Sequence, residues 1–148
     1  MMHGARCLLG EMCAQHIVAL VAAVNETRAS TVRGAVDALE AVAQNRNETA
    51  LAALYKLGAS QGQLRERVAV AIASAALRQP DWIVEWLDRA DDATRASVVT
   101  MLKDGFDSLE EDFNEEQFFA AVRAGYWRAS DGSSARSLSQ MLIQKLEF

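Results

Sequence analysis

The run Val68-Ala69-Val70-Ala71-Ile72-Ala73-Ser74-Ala75-Ala76-Leu77 is apolar throughout except for Ser74. Two periods compete for it. Read as a strand, Val68, Val70 and Ile72 alternate with alanine. Alanine, however, packs little in a sheet and is the best helix former, because it has no side-chain entropy to lose. The pattern also runs past ordinary strand length, and Ser60 with Gln63 forms a helix-start box. At about 100° per residue, Leu64, Val68, Ala71, Ile72 and Ala75 share one face, with Val70, Ala73 and Leu77 roughly opposite. Arg67, Ser74 and Arg78 fall on the narrow strip between. A helix apolar on two sides is sandwiched between neighbours. Residues 61–78 are therefore predicted as a central buried helix whose polar strip faces an acidic neighbour or solvent.

The composition around this stretch agrees with a helical fold. The 148 residues are 51% hydrophobic but only 7% aromatic, with one proline and many alanines, a mix that favours helices packed closely through small side chains. That length suits a single domain with its own core. Domain bounds of 1–148 are expected, the first five residues being a frayed end.

Working outward, helical spacing predicts helices at 6–24, 31–44, 47–57, 81–89, 92–103 and 134–146. Asn47 and Asp91 or Asp92 serve as N-caps, Pro80 as a first helical residue, and Gly58, Gly105 and Gly125 as helix ends. Ser108 with Glu111, and Asn114 with Gln117, both resemble helix starts, so 108–124 reads as one helix or as a turn and a longer helix. No stretch supports a strand. The fold class is all-α, about seven or eight short helices in antiparallel hairpins.

Arg33, Arg67 and Arg95 each open an Arg-x-x-Val step, at intervals of 34 and 28 residues. Thr31-Val32-Arg33-Gly34-Ala35-Val36-Asp37-Ala38-Leu39 resembles the second helix of HEAT-like repeats. Over about three helices, the resemblance implies that these arginines support packing between successive repeats. A short HEAT-like stack and an irregular helical bundle are the two architectures expected.

Several motifs invite a catalytic reading. Gly58-Ala59-Ser60-Gln61-Gly62 matches the G-x-S-x-G nucleophile elbow, but that chemistry needs a strand entering the turn and a histidine later in the chain. Here a helix enters, and no histidine follows His16. His3, Cys7, Cys13 and His16 offer two sulfurs and two imidazoles, a possible zinc set. On one straight helix Cys7 and Cys13 would lie about 9 Å apart along the axis, so the set needs an unwound N-terminus or a second chain. Cys13 also reads as an ordinary buried thiol. No catalytic residue, metal or cofactor is expected.

Charge is more informative. The net charge of -5 argues against general nucleic-acid affinity. Residues 1–79 carry eight Lys/Arg against six Asp/Glu; residues 80–148 carry seven against fourteen. The surplus gathers in Asp107, Glu110, Glu111, Asp112, Glu115 and Glu116, which contain no calcium-hand order of ligands. Such a run is a solvated face or a docking patch for a basic partner. Trp82, Trp86, Phe118 and Phe119 read as core. Tyr126 and Trp127, flanked by Arg123 and Arg128, read equally as interface anchors or as a hydrophobic cap folded back on the helix end. Arg128 and Arg136 are placed to hold an anion at the start of the last helix.

Two cysteines are too few for a disulfide scaffold, and the apolar run 17–24 is too short to cross a membrane. A cytoplasmic, reducing compartment is expected. The function expected is a non-catalytic adaptor, inhibitor or chaperone-like module that uses its acidic C-terminal half, through Glu110, Glu111, Asp112, Glu115, Glu116, Tyr126, Trp127 and Arg128, to bind a basic protein. A small metalloprotein using the Cys/His cluster and a structural subunit of a larger assembly, with self-association possible, are the alternatives.

Overall fold

The computed structural model describes residues 13–24, 28–109 and 115–147. Within them lie eight α-helices and no strand: α1 Cys13–Val24, α2 Ala29–Ala43, α3 Glu48–Ser60, α4 Arg65–Arg78, α5 Pro80–Arg89, α6 Asp92–Ser108, α7 Glu116–Arg128 and α8 Ser134–Leu146. A single 3-10 turn, Gly62–Leu64, leads into α4. None of these helices is long and apolar enough to cross a membrane.

The all-α class and the central place of α4 are as the sequence reading has them. Val68, Ala69, Ala71, Ile72, Ala73, Ala75 and Ala76 are all buried. Helices α3 and α6 cover α4 on two sides, and α2, α5 and α7 also touch it. Each buried valine or isoleucine contributes roughly 1.5–3 kcal/mol relative to exposure, while the alanines bring neighbouring backbones close. The polar strip behaves as expected at Arg67, whose guanidinium donates to Asp37 at 2.6 Å and Glu40 at 2.5 Å on α2. Burial opposes the charge of Arg67, but the hydrogen bonds to Asp37 and Glu40 outweigh it and raise the guanidinium pKa. Arg95 also reaches back, donating to the carbonyls of Leu87, Asp88 and Ala90 at 3.1, 2.9 and 3.2 Å and so closing the C-terminus of α5. Arg33, by contrast, is exposed.

The N-caps follow local chemistry. Asn47 accepts from the Ala50 amide and Asp91 from the Thr94 amide, Ser133 caps α8, and Pro80 opens α5. Asn47 also donates to the Cys13 sulfur at 3.1 Å, tying α3 to α1.

The glycines do not end helices. Gly58, Gly105 and Gly125 all lie inside helices, which continue to Ser60, Ser108 and Arg128. The physical reason is packing: Gly105 lets α6 approach the α4 backbone at Ala69 and Ala73, and Gly58 sits against Val68 and Met101. Ser60 is consequently the last residue of α3 and not a cap, and Gln61 precedes the 3-10 turn without a side-chain cap bond. Ser108 ends α6, so the helix start proposed there is not formed, while α7 begins at Glu116, close to the start proposed at Asn114, which itself lies outside the described residues. A helix enters Gly58-Ala59-Ser60-Gln61-Gly62, so the nucleophile-elbow geometry is missing there.

Candidate interaction site

The close crossing at Gly105 sets the register of α4 against α6, antiparallel, so that the start of one lies beside the end of the other. Arg65 and Asp104 pair across it at 3.6 Å. Between these ends is a cleft of about 430 Å³ lined by Gly62, Arg65, Glu66, Ala69, Asp104, Asp107 and Ser108. The lining is largely apolar, with Gly62 at the open mouth, and the rim holds three carboxylates and one guanidinium. The C-terminus of α6 adds its partial negative charge to the same rim.

Glu115 stands next to this cleft. Burial, and then the charge of Asp107, raise its carboxyl above the ordinary value. Neither Asp107 nor Glu115 pairs with a cation among the described residues. Beneath them Phe106, Phe118 and Phe119 interlock with ring centroids 5.4–6.2 Å apart, which fixes the start of α7 on the end of α6. Phe118 and Trp82 are buried while Trp86 and Phe119 pack partly buried against the core, as expected of all four.

Of the proposed partner-binding residues, those described lie at the two ends of α7. Glu110, Glu111 and Asp112 lie outside the described residues. Glu116 is exposed and pairs with Arg123 within α7, so its charge is engaged there. Tyr126, Trp127 and Arg128 sit at the other end of α7, about 18 Å from Glu116 at 1.5 Å per residue.

At that far end Trp127 is 76% exposed, and Val18, at 69%, is the other large apolar side chain so placed among the described residues. Trp127 is nevertheless held: its ring meets Tyr126 edge-on at 5.2 Å, and the Arg136 guanidinium lies 4.4 Å from the Tyr126 centroid and 6.0 Å from that of Trp127. For Trp127 the folded-back cap is thereby set aside, since such a cap would bury the ring. Arg136 also pairs with Asp131, and its pKa is raised by the Tyr126 side chain and then by that carboxylate. An anion held by Arg128 and Arg136 is therefore not the arrangement found, because Asp131 already occupies Arg136. Arg128 is exposed and pairs with no described residue.

Cys13 is disulfide-bonded, which corrects its reading as a buried thiol and removes it as a thiolate ligand. The chain's other cysteine, Cys7, and His3 lie outside the described residues. Among the described residues no group of three or more His, Cys, Asp or Glu is arranged to hold a metal ion.

Sequence reasoning missed Arg65, Glu66 and Asp104 as neighbours of the acidic run. Arg65 and Glu66 are far from Glu115 in the chain and only the α4–α6 crossing joins them, whereas Asp104 lies one turn before Asp107 on α6 and its i,i+3 spacing was the signal that could have found it. Compared with protein families, curated proteins and solved structures, the chain matches none.

Proposed function

We propose that this chain is a non-catalytic protein–protein interaction module, of the adaptor, inhibitor or chaperone-like kind, whose C-terminal half receives a basic partner at the cleft between α4 and α6. The supporting observation is the Asp107–Glu115 pair. Two carboxylates without a cation, one of them with a raised pKa, gain from an incoming ammonium or guanidinium group. The largely apolar lining of the cleft adds a surface for the stem of that side chain. A short HEAT-like stack belongs to the same proposal, supported by the reach of Arg67 and Arg95 to preceding helices.

The test is fluorescence anisotropy with a labelled oligolysine peptide. Binding is expected to weaken on the order of tenfold between low and high salt, and to be lost when Asp107 and Glu115 are changed to lysine. Binding indifferent both to salt and to charge reversal at Glu110, Glu111, Glu115 and Glu116 contradicts the proposal. The cytoplasm is the compartment proposed with this reading, and it requires a fold that survives reduction of Cys13. The structural-subunit alternative draws its support from the exposure of Trp127.

A further inference from the structure

We propose that the basic surface received by the cleft is the Trp127–Arg128 corner of a second copy of this chain, so that copies associate head to tail. The inference rests on the reading of the cleft as a receptor for a basic group, and adds the identity of the partner.

Three observations carry it. The first is chemical fit. The cleft has a largely apolar lining and an acidic rim, and its volume of about 430 Å³ is within the roughly 300–1,000 Å³ of ordinary ligand clefts. Trp127 and Arg128 are adjacent, exposed, and offer an indole beside a guanidinium without an ion pair to a described residue. The indole matches the apolar lining and the guanidinium matches Asp107 and Glu115.

The second is preorganisation. Tyr126 and Arg136 fix the Trp127 ring while leaving it open to solvent, so less side-chain freedom is lost on docking than for a loose aromatic. Exposed tryptophan beside arginine is the composition of interface anchors.

The third is geometry. The cleft lies between α4 and α6 while the corner ends α7, about 18 Å along that helix from Glu116, so the corner is set apart from the cleft of its own chain. Two different surfaces of one molecule that complement each other make a heterologous contact, which propagates into a row or closes into a ring. Net charge of -5 opposes assembly only weakly at physiological salt, where the Debye length is about 8 Å. Because the corner is small beside a standard interface of about 1,600 Å², association is weak and concentration-dependent.

Gly62 supplies a clean probe. A Cβ added there would meet nothing within 4 Å, so Gly62→Tyr fills the cleft mouth without disturbing the core. Trp127→Ala with Arg128→Ala removes the corner and, both side chains being exposed, leaves the fold intact; circular dichroism checks both variants. In sedimentation equilibrium from micromolar to near-millimolar protein, the wild-type mass is expected to climb above the 16.2 kDa monomer. Each variant alone stays monomeric, whereas an equimolar mixture forms dimers and stops there, because only one intact cleft meets one intact corner. A wild type that remains monomeric throughout, or a variant that associates as the wild type does, overturns the proposal. Oligolysine binding to the Trp127→Ala/Arg128→Ala variant separates the two levels. If the peptide binds while the wild type stays monomeric, the self-association inference fails and the basic-partner reading stands; if it binds neither this variant nor the wild type, that reading fails with it.

Discussion

A Cβ added at Gly105 would stand 2.2 Å from the Ala69 carbonyl oxygen and 2.7 Å from the Ala73 Cβ. Local propensity says the opposite of what this crowding implies, since alanine is worth about 1 kcal/mol over glycine inside a helix. The obstacle is backbone, which cannot rotate away, so Gly105→Ala is expected to destabilise by about 1–3 kcal/mol. At Gly125 the same change meets only the Ser139 hydroxyl at 3.6 Å, an ordinary contact, and Gly125→Ala is expected to stabilise by up to about 1 kcal/mol. Urea unfolding of the two variants reads this difference of sign. The pair also shows what a single residue conceals. Glycine after a helical run has two uses, a left-handed cap and a close helix crossing, and nothing in the neighbouring letters separates them. The caps at Asn47 and Asp91 were legible because their partners lie three residues away, whereas the partners of Gly58 and Gly105 lie on other helices.

Helix starts carry the element-scale argument. Asp91 accepts from the Thr94 amide at 2.7 Å and from the Thr94 hydroxyl at 3.1 Å. Those bonds, the amide first, lower its carboxyl pKa below the ordinary 3.8. A folded-state pKa below the unfolded one means the cap stabilises fully above the ordinary carboxylate range and fades as pH falls through the folded value. Wild type and Asp91→Ala are therefore expected to differ in Tm at about pH 7 and to converge near about pH 2; a gap unchanged between the two would show that the carboxylate charge is not what caps α6. At this same scale the acidic end was legible as composition but not as a place. Asp104, Asp107 and Glu115 are close enough in sequence to be read together, yet Arg65 and Glu66 join them only through the antiparallel register of α4 and α6. Trp127 was ambiguous for a related reason: spacing locates a residue beyond a glycine, but burial is decided by what packs above it.

For the whole molecule, the charge imbalance of the C-terminal half and the buried α4 are two aspects of one arrangement. The small residues of α4 let α6 approach, that approach brings acidic side chains from both helices together, and α7 spans from this rim to the Trp127 corner. The part of the fold expected to open last thus underlies the surface proposed to receive a basic group. Amide hydrogen exchange with and without an oligolysine peptide tests it in one measurement. In the free protein, residues 68–77 are expected to exchange last, only on global unfolding; with peptide, exchange should slow at 62–69, 104–109 and 115–116. Early exchange of 68–77, or peptide protection confined to α1, α2 or α8, would contradict the account.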